Sequence, residues 1–147
     1  MAEQITLRRK AVTGVDKAPK PLGNYSHAIK ALGFVFVSGQ GARDHETGKE
    51  KGVVLDSAGN VVDYDIAEQT RTVLNNLSVV LRSAGCTLKD LVDVNVFLKD
   101  MADFSEYNAV YSEFFSFDEP PARTTVEVSG LPGNNFIEIK AIAVSPN

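Results

Sequence analysis

The amino-acid sequence predicts an α+β fold in which one mixed β-sheet carries two long helices on one of its faces. Two segments place apolar residues at helical spacing, several others alternate or run apolar over strand lengths, and the order along the chain is strands, helix, strand, helix, strands. No internal repeat, low-complexity tract or linker interrupts that order, so residues 1–147 read as a single domain.

Residues 4–10 alternate loosely and predict a first strand. Ala18-Pro19-Lys20-Pro21-Leu22-Gly23 follows as a loop rich in breakers. Phe34-Val35-Phe36-Val37-Ser38 is a continuous apolar run between Gly33 and Gly39, which predicts a strand buried on both faces and bracketed by tight turns. Val53-Val54-Leu55 and Val61-Val62 flank Asp56-Ser57-Ala58-Gly59-Asn60, a pattern for a short hairpin or an ordered loop. In the first helix Ile66, Thr70, Val73, Leu74, Leu77, Val80, Leu81 and Ala84 share one face; Asp65 with Glu68 can cap its start, and Gly85 suits a left-handed stop. A strand over 91–98 is expected to put Val92, Val94, Val96 and Leu98 on one face. The second helix spans about 103–115, with Asp103 and Glu106 at cap spacing and Phe104, Tyr107 or Asn108, Tyr111 and Phe114 inward. Strands over 123–128 and 136–144 close the chain. With both helices on one face, the other sheet face needs cover, and self-association follows as an expectation.

Composition narrows the class of protein. A chain of 147 residues can bury roughly 68% of its unfolded surface, enough for one core. A 44% apolar, 23% charged composition is that of a soluble protein, with no apolar run long enough to span a bilayer. The N-terminus lacks the basic and apolar regions of a signal peptide, and one cysteine, Cys86, cannot form an intramolecular disulfide, so a reducing, cytoplasmic setting is the default. Two histidines without a Cys/His cluster offer no metal-ligand spacing, and no cofactor motif is present. The net charge of −4 argues against broad affinity for nucleic acid.

The segment richest in chemistry is Pro120-Pro121-Ala122-Arg123-Thr124-Thr125-Val126-Glu127-Val128. The prolines enforce an extended approach, so Arg123 opens a strand on its more polar face. A guanidinium on rigid backbone can grip a carboxylate through two parallel hydrogen bonds, or else pair with Glu127 or Glu138 in an ordinary salt bridge.

Four blocks in order place this segment in context: Leu22-Gly23-Asn24-Tyr25-Ser26-His27-Ala28; Val37-Ser38-Gly39-Gln40; residues 94–100 running into Phe104 and Tyr107-Asn108-Ala109-Val110-Tyr111; and Arg123 through residues 137–143. The chain thereby resembles, over nearly its whole length, the Rid (YjgF) family of enamine/imine deaminases. Asp63-Tyr64-Asp65-Ile66 and Gln69-Thr70-Arg71, after a long segment from Arg43 to Tyr64, are similar to the 2-aminomuconate deaminases of that family. The resemblance implies a chorismate-mutase-like fold assembled as a homotrimer with sites between subunits, a small enamine or imine carboxylate as substrate, and no metal or cofactor. It gives Arg123 the substrate carboxylate and Glu138 the attacking water, with Tyr25, Ser38 and Asn108 lining the site. Taken alone, each has a plainer reading: Glu138 neutralises Arg123 or Lys140, Tyr25 plugs a core edge, Ser38 serves a turn and Asn108 is solvated.

Two departures matter. Thr125 stands where many relatives have cysteine, which removes a thiol from the mechanism, and Gly-Asn-Tyr replaces their Gly-Pro-Tyr. Cys86 reads as packing. His27 is either an acid/base, a carboxylate ligand or a turn histidine. A dicarboxylate substrate needs a second contact, for which Asn24, His27, Lys30 and Arg43 are the nearby candidates. The resemblance thus favours deamination of 2-aminomuconate to 4-oxalocrotonate (2-oxohex-3-enedioate); broad 2-aminoacrylate-type enamine deamination and a non-catalytic, chaperone-like or ligand-binding trimer are the alternatives.

Overall fold

The computed structural model describes residues 8–146. In chain order the elements are β1 (Lys10–Val12), β2 (Ala28–Ala31), β3 (Phe34–Gln40), β4 (Val53–Leu55), β5 (Val61–Tyr64), α1 (Ile66–Ser83), β6 (Leu91–Leu98), α2 (Phe104–Phe114), β7 (Ala122–Glu127) and β8 (Ile137–Val144). Six strands form one sheet in the order β1-β2-β3-β8-β6-β7, in which only β6 and β7 run parallel. Strands β4 and β5 form a separate hairpin, the first of the two forms expected of that segment. The expected architecture is therefore present: a mixed sheet with α1 packed on β3 and β8, and α2 alongside α1.

All eight inward residues expected of α1 are buried. Leu74, Leu77 and Leu81 are fully so, each contributing about 1.5–3 kcal/mol over an exposed side chain. The ends follow from local chemistry, since the Asp65 carboxylate accepts the Glu68 N–H at 3.1 Å and Gly85 takes φ +81°. Facing this helix, Val35, Val37, Val94, Val96, Leu98, Ile137, Ile139, Ala141 and Ala143 complete the core.

Several expectations need correction. The strand proposed over 4–10 falls largely outside the described residues, and the described strand begins at Lys10. Strand β2 was not foreseen, because its four residues lie between the bend at Leu22-Gly23-Asn24 with the three residues after it and the Leu32-Gly33 turn, with no long periodic run. The 34–38 run is not buried on both faces: Val35 and Val37 are, whereas Phe34 and Phe36 remain on the face no helix covers. Gly39 does not end this strand but lies within it, beside a register shift between Val37 and Gln40. A second shift, between Leu91 and Asp93, turns Leu91 into the core and leaves Val92 exposed. Asp103 makes no side-chain cap. Met101–Asp103 form a 3-10 turn capped by Asp100, whose carboxylate accepts the Ala102 N–H, and the Asp103 carboxylate instead accepts the Tyr64 hydroxyl at 2.8 Å.

Candidate active site

The residues expected to form a site fall into two groups. The first lies where β7 meets α2. Arg123 pairs in register with the buried Val94 of β6, and Thr125, two residues on, shares a 2.6 Å hydrogen bond with the Tyr107 hydroxyl, so this polar side of β7 faces the helix. Arg123 Nη1 donates to Asn108 Oδ1 at 2.8 Å, and the guanidinium carbon stands 5.8, 5.5 and 4.6 Å from the ring centroids of Phe104, Tyr107 and Tyr111. Such a platform holds a delocalised cation without neutralising it. The ordinary salt bridge is excluded: Glu127 accepts the Met101 N–H at 2.8 Å, and Arg71 with Glu113 form the one ion pair among the described residues. Asn108, half-buried, is a positioning partner of Arg123 rather than a solvated helix residue.

The second group lies across β2, β3 and β8. Glu138 is half-buried and makes no hydrogen bond or ion pair among the described residues; its carboxylate lies against Gly39, where an added methyl group would come within 2.7 Å of Oε2. Only glycine leaves that space. Burial pushes the Glu138 carboxyl above the ordinary carboxylate range, against the opposing pull of Lys140. Ser38 donates its hydroxyl hydrogen to the Ser26 carbonyl at 2.6 Å, which leaves its lone pairs as acceptors. Tyr25 is 50% exposed, and its oxygen accepts the Leu22 N–H at 3.1 Å, so its own hydrogen is available to a ligand.

These groups do not face each other within one chain. Glu138 pairs in register with Phe97, and Phe97 with Val126, on the uncovered face; Arg123 belongs to the opposite, helix-covered face. Of the four candidates for a second carboxylate contact, His27 and Arg43 share the wall of a small cavity of about 30 Å³ with Tyr25 and Gly39. Arg43 spends one N–H on the Lys20 carbonyl at 2.7 Å. His27 is 5% exposed, and since Nε2 faces the Pro19 carbonyl at 2.9 Å it carries the hydrogen, leaving Nδ1 as an acceptor. Asn24 is exposed and does not line that cavity, while Lys30 borders a separate depression with Lys10 and Phe34.

Sequence reasoning missed the aromatic platform beneath Arg123; the i, i+3, i+7 spacing of Phe104, Tyr107 and Tyr111 was visible, but read as core. It also missed Gln69, fully buried on the apolar face of α1, whose side chain bonds the Lys51 and Asn134 carbonyls and the Phe136 N–H at 2.9, 2.9 and 2.7 Å. An amide amid aliphatic residues was the available signal. The segment similar to 2-aminomuconate deaminases is occupied with packing: Tyr64 stacks on Phe136 at 3.7 Å, Asp65 caps α1, Gln69 clamps the loop before β8 and Arg71 pairs with Glu113.

Residues 15–145 match the family described as Endoribonuclease L-PSP. A RutC family protein of Pyrococcus abyssi is 47% identical over 134 residues, 91% of this chain and 96% of that protein. The 2-iminobutanoate/2-iminopropanoate deaminase of Mus musculus is 33% identical over 135 residues, 92% and 91% of the two chains. A solved structure from Thermotoga maritima superposes with a TM-score of 0.80 at 43% identity, covering 94% of this chain and 99% of its own. The sheet with two helices on one face is thus the chorismate-mutase-like fold of these neighbours.

Proposed function

Because the chain belongs to the Rid (YjgF/RutC, L-PSP) family, we propose that it hydrolyses the carbon–nitrogen bond of enamine and imine acids, at sites that two copies of the chain complete together. The observation that carries this reading is the placement of an unneutralised guanidinium and an unpaired, half-buried carboxylate on opposite faces of one sheet. Their separation keeps either from silencing the other. A neighbour docked on the uncovered face, where Phe34, Phe36, Val126 and Val144 are exposed, brings its own Arg123 edge towards Glu138. The homotrimer is the assembly proposed.

In this mechanism Arg123, held by Asn108, takes the substrate carboxylate, while Glu138 orients a water at the imine carbon. An O–H of water adds across C=N, its proton passing through Glu138; the carbinolamine C–N bond then breaks, and ammonia and the 2-oxo acid leave. Tyr25 donates to the bound ligand and Ser38 accepts from it. The raised pKa of Glu138 suits a group that must take and return a proton. The name of the mouse relative supports 2-imino acids as the substrate class. Within that class, 2-aminomuconate is the finer proposal, resting on the long Arg43 to Tyr64 segment and on His27 and Arg43 beside Tyr25.

The test is complementation. Arg123→Ala and Glu138→Gln chains are each assayed for ammonia release from 2-iminopropanoate generated by an amino-acid oxidase, then dissociated, mixed equally and reassembled. Shared sites are expected to restore about one quarter of wild-type activity, the fraction of interfaces receiving one intact half from each variant on random assembly. No recovery in mixed oligomers shown to have formed overturns the shared site, and wild-type protein that releases no ammonia above the uncatalysed rate overturns the deaminase.

A further inference from the structure

Among the described residues, two buried side-chain polar atoms lack any hydrogen-bond partner, and one belongs to each half of the candidate site: Nδ1 of His27, which lines the cavity with Tyr25, and the hydroxyl of Tyr111, whose ring lies against the Arg123 guanidinium. A buried hydroxyl without a partner loses its hydration and receives nothing in return, so proteins tend to keep one only where something else completes it. Tyr111 is 6% exposed, and its ring is well supported. Phe115 stacks on it at 4.2 Å with 16° between the planes, Tyr107 meets it edge-on at 6.1 Å, and the Arg123 guanidinium stands 4.6 Å from its centroid. A phenylalanine would satisfy every one of those contacts. The hydroxyl is the part that packing does not explain.

We propose that the Tyr111 hydroxyl is a second donor to the substrate carboxylate, joining the Arg123 guanidinium when the ligand binds. Arg123 uses only Nη1 towards Asn108, which leaves its remaining N–H groups for a carboxylate. A carboxylate has more lone pairs than a guanidinium fork can use, so an acceptor remains for a neighbouring hydroxyl. Burial raises the Tyr111 hydroxyl to about 12, more than the nearby Arg123 charge lowers it, so the group stays protonated and serves as a donor. The hydroxyl is closed to water in the free chain, so this contact requires the guanidinium or the ring to shift as the carboxylate binds. The inference rests on the proposed deaminase only for the identity of the ligand as a 2-oxo or 2-imino acid.

The experiment compares wild type with Tyr111→Phe as assembled full-length protein, with pyruvate as the probe. Calorimetric titration is expected to show about tenfold weaker pyruvate binding in the variant, and the KM for 2-iminopropanoate is expected to rise alongside it with kcat little changed. Thermal melting is expected at or above the wild-type temperature, because an unpaired buried hydroxyl has been removed. A variant that is weaker in binding yet no less stable separates a ligand-binding role from a structural one. Unchanged pyruvate affinity in a folded Tyr111→Phe protein overturns the proposal. Should that variant fail to fold, tyrosine ring-carbon labelling in wild type replaces it: a shift of the Tyr111 signal on pyruvate addition supports the contact, and an unmoved signal overturns it. Pyruvate binding that depends on Tyr111 without any ammonia release refutes deamination while leaving this carboxylate site standing.

Discussion

The two halves of the candidate site hold their charged groups by opposite means. At the β7 edge the guanidinium of Arg123 is surrounded: three rings lie beneath it and Asn108 fixes one nitrogen. On the other face the Glu138 carboxylate lies against a bare Gly39, with no hydrogen-bond donor and no ion pair among the described residues and only the more distant charge of Lys140 acting on it. A cation intended for binding can be immobilised with aromatic faces and still remain a cation. A carboxylate intended to pass protons must be neither neutralised nor fully hydrated, and partial burial beside a bare glycine supplies that condition. In the proposed mechanism one half serves affinity and orientation and the other reactivity, so substitutions in the two should fail differently.

The largest expected effect is that of Glu138→Gln. It keeps the shape and removes the basic group, so kcat is expected to fall on the order of 10² to 10⁴-fold with pyruvate affinity largely intact. Wild-type turnover in a folded variant returns Glu138 to a neighbour of Lys140 with no chemical role. Arg123→Lys comes next, with kcat/KM lower by about 2–4 kcal/mol equivalents, carried substantially by KM, because lysine keeps the charge but loses the fork and the stacked plane. If this variant instead loses kcat alone, the division between a binding half and a reacting half is wrong. Gly39→Ala probes the same division from the backbone. The new methyl group would sit 2.7 Å from Glu138 Oε2, forcing the carboxylate aside; kcat is expected to drop by about 10 to 100-fold while pyruvate binding persists. A variant with normal kcat would show that the carboxylate has freedom to spare.

How much of this was legible beforehand depended on whether a residue's environment was local in sequence. The first helix was readable to its caps, since Asp65, Gly85 and the apolar stripe each act through residues within about a turn of themselves. Val92 misled because a register shift beside it depends on the partner strand β8. Asp103 misled because a residue at cap spacing was claimed by Tyr64 from the distant hairpin. The same contrast runs through the site. Arg123 announced itself by the prolines before it, and the resemblance named it together with Glu138, yet the faces they occupy follow only from the pairing of β6 with both β7 and β8. Tyr111 was legible as an inward residue, and its unpaired hydroxyl was not, because that depends on every neighbour's hydrogen-bond partners at once.

The smallest expected effect concerns stability rather than rate, and only the Glu138 half should show it. Burial raises the pKa of Glu138 in the folded chain relative to its unfolded value, with Lys140 opposing the shift. The folded state therefore binds this proton more tightly than the unfolded state does. The stability linked to the bound proton is fully present below the unfolded-state pKa and is lost as pH rises through the folded-state value. Glu138→Gln carries no proton to lose, so its melting temperature relative to wild type is expected to be lowest in acid and to improve as pH rises from the ordinary carboxylate range towards neutrality. Because the carboxylate is only half-buried, solvent screening keeps the gain small. Differential melting of the two proteins in matched buffers measures it directly. A difference that stays flat across that range would mean the carboxylate is as well solvated folded as unfolded, and the reactive half would then lack the feature that sets it apart from the binding half.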